Sequence, residues 1–290
     1  LFAAMFYTSC HPEKIKVLQE KIKVFEDKLE EFSRKRLSCD LKSLEEGEKV
    51  SVSVSEVPQE SGEIKHDMIF GMPKIKEVED KWLLSRMNSL VKEFNKDLDK
   101  FEYKNATRNL VDFVVYNISR EYIQFVRNRN DNAVGYVLKE ALLTSLKLLA
   151  PICPFVTDKI YLNLKKKLKL KEESIHLEIW PRANEKLSDN KLSDGMENVR
   201  EIIQEILSQR EKNQIGIRWP LSKVVIRTKD LKVMEALDLF EKLILRQTNI
   251  KKMILEKDKV TGKFNLEIDI KLDDKLLGEG YTREVIRRIQ

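Results

Sequence analysis

Apolar residues recur in steps of three and four along most of this chain, a spacing that predicts helices. Pro12 suits a first helical position. Behind it, Ile15, Leu18, Ile22, Phe25, Leu29 and Phe32 form a heptad seam, with lysines and glutamates on the other faces. Arg34, Lys35 and Arg36 end the seam, where positive charge suits the helix dipole. So short a seam calls for an apolar partner, a neighbouring helix of the chain or another protein docked on helix 12–36. Residues 37–74 lose the periodicity. Ser51-Val52-Ser53-Val54-Ser55 alternates like a short strand, and Pro58, Gly62, Gly71 and Pro73 punctuate an irregular linker.

Four amphipathic patterns follow. The first covers about 78–98, with Trp82, Met87, Leu90, Val91, Phe94 and Leu98 on one stripe. The second covers about 105–129. The third, about 134–149, is stopped by Pro151 and Pro154, and the fourth, about 157–168, ends in Lys165-Lys166-Lys167. Helices of this length on short loops predict an antiparallel bundle over 75–182. Residues Ile175 to Trp180 alternate as a short strand or extended closing segment, and 183–195 reads as a polar loop. Beyond it, helices over about 196–209 and 231–246 alternate with strands over about 223–228, 250–255 and 264–270, and a last helix begins near Gly280. The expected fold class is therefore mainly α: a helical bundle followed by a small α+β domain over 196–290. Residues 1–74 stand before it as an amphipathic helix and linker.

The composition narrows the chemistry. Of 290 residues, 42% are apolar and 35% charged, with a formal net charge of +6, which fits a helix-rich protein with an ionised surface. No stretch approaches the roughly 20 apolar residues a membrane span needs. Nine glycines leave little material for phosphate-binding loops, and neither GxGxxG nor GxxxxGK[ST] occurs. Cys10, Cys39, Cys153, His11, His66 and His176 are scattered, so no metal site and no disulfide framework is expected, and a reducing compartment, the cytoplasm, fits. The chain opens on Leu1 and closes on Gln290 inside a helical pattern, which suggests a piece of something longer.

Three motifs sit on the bundle helices. The first helix carries Asp80-Lys81-Trp82-Leu83-Leu84-Ser85-Arg86, the second Ser119-Arg120-Glu121-Tyr122 and then Arg127-Asn128-Arg129. The third runs from Leu149 through Pro151, Pro154-Phe155, Thr157-Asp158 and Ile160-Tyr161. In order and spacing they resemble the anticodon-binding bundle of class I aminoacyl-tRNA synthetases for isoleucine, valine and leucine, with Asp158 where that family often has Glu. Gly216-Ile217-Arg218-Trp219-Pro220-Leu221 and the closing segment from Leu277 to Gln290 resemble the following domain of archaeal and eukaryotic isoleucyl enzymes. The resemblance covers about residues 75–290. It implies a tRNA-binding portion of an isoleucine–tRNA ligase, a valyl or leucyl fragment and a free-standing RNA-binding factor without ligase activity being the alternatives. The family's H-I-G-H and K-M-S-K-S signatures do not occur in this sequence, so this segment is expected to hold no catalytic residue and no cofactor. ATP and magnesium belong to the catalytic domain that the resemblance implies elsewhere.

The implied partner is an isoleucine-specific tRNA, with no membrane. Arg120 and Arg127 stand seven residues apart, which on a regular helix places them on one face with Gln124 between them, and Arg129 follows near the helix end. Guanidinium groups match phosphate and stack on bases, but an Arg near a helix C-terminus is also favourable for the dipole alone. Tyr122 is expected in the core. Trp82 and Arg86 are spaced for a cation–π pair, with Trp82 itself in the core, Arg86 a candidate RNA contact and Ser85 bonded within its helix. Pro220 biases Trp219 toward extended backbone, which would turn Trp219 into an interface with the bundle and Arg218 outward near RNA; a structural role for both is the alternative. Lys165, Lys166, Lys167, Lys169 and Lys171 form the densest basic run, a solvated helix end or a source of non-specific phosphate attraction.

Overall fold

A computed structural model describes residues 73–289, apart from 128, 130, 185, 186, 258–261 and 272. The heptad helix over 12–36, the alternating stretch 51–55 and most of the linker lie outside the described residues. The chain forms two compact units, one containing residues 87–185 and the other 76–86 together with 186–290.

The first unit is helical. It takes most of α1 (Val78–Asp99), then α2, α3 (Asn132–Leu149) and α4 (Pro154–Leu168). Helix α2 is continuous through three stretches, Tyr103–Asp112, Phe113–Tyr122 and Ile123–Phe125. Leu90, Phe94, Leu110, Ile118, Leu142 and Leu146 are among the fully buried side chains of this unit. Asp131 starts α3 by accepting a hydrogen bond from the Val134 N–H at 3.2 Å. Pro154, which the sequence pattern takes as part of a stop, is the first residue of α4. Its missing N–H costs nothing there. Helix α1 closes through paired bonds, Phe101 N–H to the Leu98 carbonyl (2.9 Å) and Glu102 N–H to the Asp97 carbonyl (2.8 Å), with Phe101 left-handed at φ 61°. That is the Schellman arrangement.

The segment after α4 is not a strand. Residues Ile175–Leu177 form one 3₁₀ turn, opened by Ser174, whose Oγ accepts from the His176 N–H at 3.2 Å. The Asp158 carboxylate accepts from Ser174 Oγ (2.6 Å) and from the Ile175 N–H (3.1 Å). Backbone N–H groups that a strand would satisfy through a ladder are met by Asp158, by Ser174 and within the turn itself, and of the alternating apolar residues only Ile175 is buried, Leu177 and Ile179 being exposed. Beyond it, the Glu178 carboxylate accepts from Tyr161 Oη at 2.7 Å and pairs with Lys147 Nζ at 2.9 Å. Burial, then this carboxylate, pushes the Tyr161 phenol well above its ordinary value.

The second unit is α+β. Helix α5 (Asn190–Lys212) begins six residues before Met196, because Asp189 caps it by accepting from the Lys191 N–H at 2.9 Å. Strand β1 (Leu221–Thr228) pairs in parallel with β2 (Ile250–Lys257) across α6 (Leu231–Leu239) and α7 (Glu241–Thr248). Strand β3 (Asn265–Ile268) pairs antiparallel on the other side of β1, giving the order β2-β1-β3. Val224, Ile226 and Thr228 are buried on one sheet face, while Lys223 and Arg227 on the other make ion pairs with Asp269, Glu256 and Glu267. The closing helix α8 (Asp274–Ile289) starts six residues before Gly280. Among the described residues, no helix is long and apolar enough to cross a membrane.

Candidate nucleic-acid interface

Helix α2 positions the most distinctive surface. Its buried residues, with Val126 just past its end, include Ala106, Leu110, Val114, Ile118 and Tyr122, and its exposed ones Lys104, Arg108, Asp112, Tyr116, Arg120 and Gln124. Both rows advance by four residues at every step. A regular α-helix has about 3.6 residues per turn, so each such step overshoots by about 40° and five steps carry a row roughly half-way round the cylinder. The helix resolves the conflict by widening. Over Phe113–Tyr122 the backbone takes the looser i→i−5 pattern, seen at its end in the bond from the Ile123 N–H to the Ile118 carbonyl. A wider turn holds more residues, so a four-residue step there falls short of a full turn and offsets the drift of the flanking α-helical stretches. The result is an outer row of three cations, one tyrosine, one glutamine and a single acid, Asp112. Cationic rows interrupted by an aromatic and an amide suit a single-stranded nucleic acid, whose phosphates need charge and whose unstacked bases need a flat surface and hydrogen-bonding groups.

Within this row, the Arg120 Cζ lies 4.9 Å from the centre of the Tyr116 ring. Tyr116 is 48% exposed. Arg127 is exposed too, but the seven-residue argument for sharing a face with Arg120 does not hold, because regular periodicity is broken through Phe113–Tyr122 and the helix ends at Phe125. Arg127 sits in the following turn, its N–H donating to the Gln124 carbonyl at 3.3 Å. Arg129 grips Asp131, with Nε at 2.9 Å from one carboxylate oxygen and a terminal nitrogen at 3.2 Å from the other. Burial raises the Asp131 pKa, but the Arg129 contact, with the N–H groups of Val134 and Ala133, holds it below the ordinary value. Arg129 thus supports the cap of α3, and only 12% of its side chain is exposed. Tyr122 is fully buried, as its place in the core row requires.

The remaining candidates lie in the second unit. Trp82 is buried, and the guanidinium of Arg200 lies over its ring at 5.7 Å. Arg86 is half-buried one turn along α1. Ser85 does not stop at its own helix: its Oγ accepts from the Asp189 N–H at 2.8 Å and donates to the Asp189 carbonyl at 3.3 Å. In the first unit Asn88 does the same for Asn184, its Oδ1 accepting from the N–H at 2.6 Å and its Nδ2 donating to the carbonyl at 2.5 Å. The serine of the Asp80–Arg86 motif is therefore a clasp on returning chain.

Arg218 lies inside a tight turn rather than in an extended run. Gly216 to Trp219 form a turn closed by the Trp219 N–H on the Gly216 carbonyl at 3.1 Å. Trp219 packs within its own unit, on α8, where a Cβ at Gly280 would overlap its indole and where Tyr281 meets it edge-on at 5.1 Å. Arg218 does point outward, though its guanidinium pairs with Glu284 at 2.9 Å. Beneath the turn lies Arg210, 2% exposed, donating to the carbonyls of Thr248 (3.1 Å), Trp219 (2.8 Å) and Asn249 (3.3 Å). Burial pulls its pKa down to about 10, so it stays charged at neutral pH. Its cation sits against the C-terminal carbonyls of α7, the negative end of that helix.

Residues 80–226 match the family model described as the anticodon-binding domain of tRNA ligase. The chain belongs to that family. The anticodon-binding match begins at Asp80 in α1, contains the whole of α2 and ends in β1. Among curated proteins, the chain is 33% identical over 201 residues to the isoleucine–tRNA ligase of Pyrococcus horikoshii, covering 67% of this chain and 18% of that protein. It is 33% identical over 219 residues to the isoleucine–tRNA ligase of Thermococcus kodakarensis, covering 72% and 20%. To that of Methanothrix thermoacetophila it is 36% identical over 225 residues, covering 73% and 21%. The chain thus spans about one fifth of the length of the relatives it matches.

Proposed function

We propose that this chain is the tRNA-binding portion of an isoleucine–tRNA ligase, a cytoplasmic enzyme that joins isoleucine to its tRNA through an ATP-derived aminoacyl-adenylate. ATP and magnesium belong, on this reading, to the catalytic part of the parent enzyme. The observation that carries the proposal is the outer row of α2, Lys104, Arg108, Tyr116, Arg120 and Gln124, inside the anticodon-binding match. Arg127 extends its charge past the helix end. The row holds a single-stranded loop by charge and leaves an aromatic and an amide for its bases. Arg86 and Arg218 are candidate contacts from the second unit, and Trp219 supports the turn that presents Arg218.

Binding of the chain to isoleucine, valine and leucine tRNAs at two salt concentrations tests this reading. The isoleucine tRNA is expected to bind most tightly, and its preference to survive the higher salt. Reversing both charges, Arg120→Glu with Arg127→Glu, is expected to weaken binding and flatten its salt dependence by about one to two log units per log unit of salt, without loss of helical signal. Equal affinity of the double variant would reject the assignment, and equal, salt-sensitive binding of all three tRNAs would reject isoleucine recognition by this portion.

A further inference from the structure

We infer that Tyr116 and Arg120 together form a stacking platform for one unpaired base of the bound RNA, with Gln124 beside it to bond the base edge. The inference rests on the tRNA-binding reading above and adds the contact that reads a base. Four observations converge on it. Tyr116 is nearly half exposed on a helix whose Phe113, Tyr122 and Phe125 are all buried. The Arg120 guanidinium is held over the Tyr116 ring rather than on an acid, and among the described residues no carboxylate pairs with it. The nearest acid along the chain, Glu121, accepts from Asn117 Nδ2 at 3.3 Å. The widened stretch Phe113–Tyr122 keeps both groups in line with Lys104 and Arg108.

A tyrosine on a water-facing row gains little for folding. An arginine laid on it is pre-organised as a flat cation, the surface on which a base stacks with dispersion and cation–π attraction together. The flanking charge decides the class of partner. Lys104 and Arg108 toward one end of the row and Arg120 toward the other attract phosphate, whereas a protein contact centred on Tyr116 calls for apolar neighbours, and its neighbours on this row are Asp112 and Arg120.

The test uses the 290-residue chain and an isoleucine tRNA carrying 2-aminopurine at each anticodon-loop position in turn. Wild type is expected to change the fluorescence of one position by stacking. Arg120→Lys keeps the charge and loses the plane, and Tyr116→Leu keeps bulk and loses the ring. Each is expected to abolish that fluorescence change and to weaken binding about tenfold, within the range for one lost base–aromatic stack. Tyr116→Phe is expected to retain both properties. Arg120→Lys binding as tightly as wild type with the fluorescence change intact would overturn the platform and leave Arg120 a point charge. Wild-type fluorescence and affinity in Tyr116→Leu would overturn it as well, freeing Tyr116 for a protein contact. If wild type itself binds no tRNA, the functional reading falls, and the platform with it.

Discussion

Phe101 is a residue that glycine should replace with less cost to the fold than alanine. It occupies the left-handed position that closes α1, at φ 61°, and its ring is 77% exposed. A residue with a Cβ loses roughly 1–2 kcal/mol in that conformation. The ring returns little: among the described residues its aromatic contact is an edge-on approach to Tyr103 at 6.3 Å, worth about 0.5 kcal/mol at such an exposed site. Glycine removes the steric cost but brings about 0.5–1 kcal/mol of extra freedom to the unfolded chain. The clean comparison is Phe101→Gly against Phe101→Ala, since both lose the ring and differ only in backbone. The glycine variant is expected to be about 1 kcal/mol more stable than the alanine variant, or about 2–4 °C in Tm. Urea titration followed by far-ultraviolet circular dichroism measures it, with the slope checked to be common to both. A glycine variant no more stable than the alanine variant would refute the strain at residue 101.

Two further perturbations test the packing. Gly280→Ala drives a methyl group into the Trp219 indole, so a loss of about 1–3 kcal/mol is expected, with a red shift of tryptophan emission as the ring is displaced; an unchanged urea midpoint would contradict that contact. The Ser174 hydroxyl above all, opposed by burial and helped by the Ile175 N–H and the His176 charge, holds the Asp158 carboxyl below its ordinary 3.8. A lowered folded pKa means stability that is full above the ordinary value and lost as pH falls through the folded one. Asp158→Ala should therefore lower Tm at neutral pH and converge on wild type in acid, and a gap that stays constant across that range would dismiss the linkage.

The bundle was legible because its helices repeat apolar residues at helical spacing, and α1 and α3 start and stop within two residues of where the pattern puts them. Boundaries moved where a single polar side chain decided them. Asp189 starts α5 inside a stretch that reads as loop, although Leu192 and Met196, both buried, already mark a helical step. Tyr116 escaped notice for a different reason. A tyrosine among valines and isoleucines reads as core, and only the row of four-residue steps from Lys104 to Gln124 turns it outward. That signal was present in the letters, as was its buried counterpart from Ala106 to Val126. The clasp of Ser85 on Asp189 spans 104 residues of sequence, and no local pattern encodes it. Arg210 was likewise hidden, since one arginine in an Arg- and Glu-rich helix gives no sign that it lies beneath the Trp219 turn.

The widened stretch of α2 gives that helix something like a reading frame. Between Phe113 and Tyr122 the helix accommodates its two rows only by holding more residues per turn than its ends do. Deleting one residue early in that stretch, with the wide turn kept, would rotate everything after it by somewhat less than the roughly 100° that one α-helical residue spans. Ile118, Tyr122 and Val126 would swing away from the core while Arg120 and Gln124 left the outer row. Substitutions along α2 act on one side chain at a time; a change of length by one shifts the buried row and the RNA-facing row in the same stroke, so that neither can drift without the other.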